Sequence, residues 1–219
     1  MYFSRISLRE DARASFKFWS VFRDPYQIHK SLWNLFGDHP DRERDFLYHV
    51  AEVKSQPLVY AVSARLPVGE HPIWRVETKP YEPQIAAGMR LGFLLRVNPV
   101  RTRNGKRHDV VMEAKHRLKA QGIAKSDFPL EAAIVQDAVE EWLRAREDKA
   151  GFHTVVARAD GYRQHQFFKA REQLLVRFST VDLTGVIEVI DTEAFRKTLF
   201  RGFGPAKSFG CGLMLIRRA

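Results

Sequence analysis

Residues Tyr2 to Leu8 read as a first strand, after which the hydrophobic period changes. Asp24-Pro25 opens a helix, with Asp24 as N-cap, Pro25 at the first helical position and Gln27 three residues after the cap. Ile28, Leu32, Leu35 and Phe36 form its apolar stripe, and Gly37 supplies a left-handed stop. Phe46–Val53 and Leu58–Arg65, separated by Lys54-Ser55-Gln56-Pro57, predict a hairpin, and Ile73–Lys79 a further strand. Pro80, Pro83 and Ala86-Ala87-Gly88 then punctuate the chain and predict a boundary between domains at 1–85 and 86–219.

The second half begins by repeating the first. Met89, Leu91, Phe93, Leu95 and Val97 alternate with Arg90, Gly92, Leu94 and Arg96, a strand with one buried face. Ile134, Val135, Ala138, Val139, Trp142 and Leu143 follow at helical spacing, on a segment whose acids predict a solvated opposite face. Strand-like runs at Phe152–Arg158, Leu174–Thr180 and Val186–Ile190 precede a helix from Thr192 to about Arg201 and a last strand at Gly212–Arg217. Two β-α-β-β-α-β units side by side accommodate this order. Leu66–Pro72 is too short for a full second helix in the first unit, and no internal sequence repeat accompanies the pairing.

Composition then narrows the function. At 219 residues, with 45% hydrophobic and 28% charged positions, the chain has the balance of a folded globular protein. Its 36 Lys and Arg exceed its 26 Asp and Glu, a net charge of +10 that favours a polyanionic partner. The excess is localised, since nine Lys or Arg and two acids fall between Arg96 and Lys125. Cys211 is the one cysteine, so no internal disulfide can form, and the eight histidines include no HExxH motif. A structural metal site is not expected. The start of the chain meets Arg9, Glu10, Asp11 and Arg13 too early for a signal peptide, and no apolar run approaches a membrane span of about 18 residues. A cytoplasmic location without membrane contact is the expectation.

Three places carry candidate chemistry. Tyr26 and His29 are three residues apart on the first helix and share a face near its positive N-terminal end, with Lys30 beside them. Taken alone, such a pair serves surface or interface packing more often than proton transfer. Gly202-Phe203-Gly204-Pro205-Ala206-Lys207-Ser208-Phe209-Gly210 lies between a helix and the final strand, where Gly202, Gly204 and Lys207 can approach a sugar-phosphate chain. It lacks the spacing of a Walker loop or a dinucleotide fingerprint. Basic side chains cluster around an Asn104-Gly105 turn, with Arg96, Arg101, Arg103, Lys106 and Arg107, and again at Arg163, Lys169 and Arg171 among aromatic residues. Both clusters favour an RNA or DNA partner. A DNA-binding regulator would need a recognition helix, whereas the most basic stretch is a strand end and turn.

In this order and spacing, several segments resemble the type I-E CRISPR-associated endoribonucleases of the CasE family. They are Met1-Tyr2-Phe3-Ser4, the Asp24–Trp33 helix, Arg44-Asp45-Phe46-Leu47-Tyr48-His49, Leu95-Arg96-Val97-Asn98-Pro99 and the Gly202–Leu213 loop. The resemblance implies an α+β fold of two tandem ferredoxin-like domains, the first with a shortened second helix. It also implies an enzyme without a metal or other cofactor that cuts CRISPR repeat RNA at the 3′ base of its hairpin. The 2′-hydroxyl would attack the adjacent phosphorus, with Tyr26 and His29 as the catalytic pair, and the mature crRNA would pass to the other Cascade subunits. The alternative is an RNA-binding structural subunit of the same ribonucleoprotein that does not cleave. Asn34 and Gly37 stand where a cation and a hydroxyl can occur in the family.

Overall fold

The structure, a computed structural model, describes residues 1–10, 25–36, 45–53, 56–169 and 173–219. In the first half, β1 (Tyr2–Leu8), β2 (Phe46–Val53), β3 (Gln56–Ser63) and β4 (Trp74–Pro80) form an antiparallel sheet in the order β2-β3-β1-β4. Helix α1 (Pro25–Trp33) covers one face of it, burying Leu32 against Ile6, Val59 and Trp74. The indole of Trp74 donates to Ser31 Oγ at 2.8 Å, which satisfies both groups inside that core.

Helix α1 ends at Trp33 rather than near Phe36. The next residues tighten into i to i−3 hydrogen bonds, Leu35 N to Leu32 O at 3.0 Å and Phe36 N to Trp33 O at 2.9 Å. That turn swings Phe36 onto Phe46, with ring centroids 4.3 Å apart. The cap expected at Asp24 and the stop at Gly37 lie outside the described residues.

Residues 64–73 contain no helix. The shortened second helix is replaced by a loop, because Pro67, Gly69 and Pro72 interrupt any helical run. Val68 N bonds to Leu35 O and the Arg65 guanidinium to Asp45, so the loop is tied back to the end of α1 and the start of β2.

Residues 81–89 connect the halves and contain the division we propose after residue 85. Strand β5 (Arg90–Val97) follows, then the hairpin β6 (Val100–Arg103) and β7 (Lys106–Asp109), and helices α2 (Val110–Ala120) and α3 (Glu131–Ala150). The long strands β8 (Phe152–Lys169) and β9 (Leu174–Val189), helix α4 (Thr192–Arg201) and β10 (Met214–Arg218) complete the chain. The sheet order is β10-β5-β9-β8, the same topology as in the first half. Leu95, Val139, Trp142, Leu183, Ile187 and Phe195 are fully buried in its core.

Two sequence expectations change here. The run from Phe152 and the basic segment around Arg163 form one strand, and so do Leu174–Thr180 and Val186–Val189. Register shifts at Thr154/Val156 and Asp160/Arg163 break the alternation that a single strand would show. Gly185 permits the first irregularity, since a Cβ there would collide with the Val156 carbonyl oxygen. The acidic face of α3 is not simply solvated, because Glu131, Glu140 and Glu141 pair with Lys115, Arg144 and Arg101.

The two halves meet through Leu47 and Val62 of the first sheet and Leu213 before β10, with Phe3, Tyr60, Tyr81 and Phe200 around them. Arg96 reinforces this contact from β5, pairing with both oxygens of Asp182 at 2.6 and 2.7 Å and donating to Val50 O at 3.1 Å. No described helix is long and apolar enough to cross a membrane.

Candidate functional site

Tyr26 and His29 rise from the first two turns of α1 and line one cleft with Arg107 of β7 and the 204–209 loop. The cleft encloses about 530 Å³, and no carboxylate occurs among its described lining residues. Each wall comes from a different part of the chain. Helix α1 belongs to the first half, the basic hairpin follows β5, and the loop precedes β10.

The aromatic surroundings fix the two α1 side chains. Tyr26 stacks on Phe167 of β8, with centroids 5.7 Å apart and 12° between planes. The His29 ring lies over Tyr48, 6.3 Å away at 14°, and meets Trp33 edge-on. Tyr48 in turn donates its hydroxyl to the Ser208 carbonyl at 2.8 Å. One side chain therefore contacts the histidine and holds the loop opposite it. Lys30 places its ammonium 5.7 Å from the Tyr26 ring centroid and stays exposed, but it is not among the residues lining the cleft.

Gly202 and Gly204 do different things. A Cβ on Gly202 would fall 2.7 Å from Leu47 Cδ2, at a backbone φ of 79°, so this glycine lets the loop close against the first sheet. Gly202 is not among the residues lining the cleft, whereas Gly204 is. Lys207 lines it too, and its ammonium also reaches the Arg201 carbonyl at the end of α4. It thus occupies one of the carbonyl acceptors left open by that helix end.

Among the expected basic contacts, the structure separates open cations from tethered ones. Arg101 pairs with Glu141 at 2.6 Å and Arg103 with Glu113 at 2.5 Å, while Lys106 and Arg107 are exposed and form no ion pair with a described carboxylate. Arg96 is committed to Asp182 and the domain contact. Arg163 stands near it on β8, lining a second cavity of about 290 Å³ with Arg96, Asp182 and His165. Lys169 closes β8, and its side chain, like all of Arg171, lies outside the described residues.

Sequence reasoning missed Phe167, Tyr48 and Phe209 as supports of the site, because their roles depend on contacts between distant segments. It also missed His49, buried on β2 beside the Arg96–Asp182 pair. Burial holds His49 down at about 4, the Arg96 charge adds to this, and Asp182 opposes it. Cys211 is no nucleophile, because burial pushes its thiol up to about 12 and keeps it protonated. Among the described residues, no group of three or more His, Cys, Asp or Glu has an arrangement that would hold a metal ion.

The family described as CRISPR associated protein matches residues 1–218. The chain is 34% identical over 224 residues to the CRISPR system Cascade subunit CasE of Escherichia coli (strain K12), covering 99% of this chain and 98% of that one. It is 25% identical over 239 residues to the CRISPR-associated endoribonuclease Cse3 of Thermus thermophilus, covering 99% of both. A solved structure of the CRISPR endoribonuclease Cse3 bound to 19 nt RNA superposes with a TM-score of 0.75 at 22% identity, over 99% of this chain and 100% of that one. The two share a fold.

Proposed function

Because this chain belongs to the family of CRISPR-associated proteins, we propose that it is an endoribonuclease that binds the hairpin of CRISPR repeat RNA and cuts the precursor at the 3′ base of the stem. The reading is supported by the relatives' names, as a Cascade subunit and a CRISPR-associated endoribonuclease. The observation that carries it is the convergence of Tyr26, His29, Arg107 and Lys207 on one cleft with no carboxylate among its described lining residues. A phosphodiester is the group that such a set receives.

The chemistry proposed here uses the side chains that line the cleft. The 2′-hydroxyl oxygen preceding the cut attacks phosphorus, the bond from phosphorus to the 5′-oxygen breaks, and the products are a 2′,3′-cyclic phosphate and a 5′-hydroxyl. One proton leaves the 2′-oxygen and one reaches the 5′-oxygen. His29 is the acid–base group for this exchange, and Tyr26 orients the reacting oxygens. The Arg107 and Lys207 charges stabilise the negative charge that accumulates on the phosphorane. No step requires a metal. The hairpin stays bound after the cut and is carried into Cascade.

The deciding experiment incubates the purified protein with labelled repeat RNA in excess EDTA, using ribose or 2′-deoxyribose at the nucleotide before the cut. Cleavage of the first RNA and not the second is expected. Binding without cleavage of either would replace this reading with that of a structural RNA-binding subunit.

A further inference from the structure

A second groove of about 580 Å³ adjoins the catalytic cleft, and Arg107 and Phe209 line both. We propose that this groove, between the β6–β7 hairpin and strands β8 and β9, is a subsite for the first unpaired nucleotide on the 3′ side of the cut. The inference rests on the reading of the neighbouring cleft as the place where RNA is cleaved.

The groove has the chemistry of a nucleotide site. Its wall is aromatic and rigid, because Phe178 is held between His165, 4.8 Å away, and Phe209, 4.7 Å away, with interplanar angles of 19° and 24°. Its rim carries the exposed side chains of Gln164, Gln166 and Arg177. Side-chain amides and guanidinium groups offer the donors and acceptors that read the edge of an unstacked base, while the edge of the Phe178 ring, its faces taken by His165 and Phe209, closes the groove beside them. Arg177 Nε donates to Gln166 Oε1 at 3.0 Å across the strands, which orients both for a ligand in front of them.

Charge also fits. The one carboxylate among the described residues of the groove, Asp109, is fully engaged by the protein: Oδ1 accepts from Val111 N and Met112 N, and Oδ2 from the Tyr162 and Ser179 hydroxyls. It caps α2 and does not present an open anion to a phosphate. The surface left for a ligand is neutral or positive. Shared lining by Arg107 places a phosphate in the catalytic cleft and a base in the groove within reach of one guanidinium. A nucleotide beyond the stem is unpaired, so its base edge is available to be read.

Equilibrium binding tests this with two non-cleavable RNAs carrying 2′-deoxyribose before the cut, one ending at the stem and one extended by a single 3′ nucleotide. The extension is expected to tighten wild-type binding by about 5- to 100-fold, the range that a bidentate side-chain contact to a base edge supplies. The double variant Gln166→Ala/Arg177→Ala, whose sites are exposed, should lose most of that gain while binding the shorter RNA as the wild type does. An abasic extension should bind like the shorter RNA. The same gain in the wild type and the double variant, or from the abasic RNA, would overturn the subsite. Failure of the wild type to bind even the shorter RNA would overturn it by removing the parent reading.

Discussion

The ring of Tyr26, on the helix of the first half, lies parallel to that of Phe167, on the edge strand of the second, with 5.7 Å between centroids. Phe167 is itself buried and meets Phe209 of the glycine-rich loop edge-on at 5.3 Å. The phenol of Tyr26 is thus aimed by residues about 140 positions and more away in sequence. Neither half alone sets its orientation.

Removing that surface should cost rate before affinity. Phe167→Leu is expected to lower single-turnover cleavage about 3- to 10-fold, in line with the ~1 kcal/mol an aromatic pair contributes, with hairpin affinity retained. Phe167→Tyr should restore the rate. Equal losses in rate and affinity would mean that the residue supports RNA binding instead.

His29→Ala should reduce single-turnover cleavage by about 10² to 10⁴, the usual share of a general acid–base group, and leave the Kd for the hairpin nearly unchanged. Wild-type cleavage by the variant would remove His29 from the proton transfers.

The basic hairpin should be unequal along its length. Arg107 faces the cleft, while Arg103 is held by Glu113 and Arg101 by Glu141. Arg107→Ala is expected to weaken RNA binding and reduce the slope of log K against log salt by about 1, as for one lost phosphate contact. Arg103→Ala should change that slope less. The reverse ranking would place the phosphate track on the far side of the hairpin.

Stability should fall in mild acid, with His49 as one source. Its folded value of about 4 lies below the ordinary 6.5, so the unfolded chain takes up the proton first. The contribution is complete above about pH 6.5 and is lost as the pH falls toward 4. Burial also lowers His71 and His165, which act in the same direction. Urea midpoints at pH 7 and pH 5 should differ less for His49→Gln than for the wild type. An identical pH dependence in both would assign the acid sensitivity to other groups.

Gly202→Ala should destabilise the protein by about 1 kcal/mol or more, because it adds a Cβ at positive φ where Leu47 already sits. A lower thermal midpoint is the expected reading. An unchanged midpoint would show that the loop has room to move away from β2.

Much of this architecture is written in local spacing. The period of each element, the doubled β-α-β-β order, the position of the basic stretch and the shared face of Tyr26 and His29 all depend on a few neighbouring residues, so they can be read along the chain. Asn104-Gly105 marks its turn through backbone chemistry alone, and both residues adopt positive φ. The length of β8 and β9 is hidden because register shifts displace the alternation, whereas Pro67, Gly69 and Pro72 already mark the segment before β4 as too broken for a full helix. Which cations remain available is settled by packing, because Glu113, Glu141 and Asp182 come from other elements to neutralise Arg103, Arg101 and Arg96. The cleft itself is a product of the folded chain, since packing brings Tyr26, Arg107 and Lys207 together from three separated segments, and no local pattern encodes that proximity.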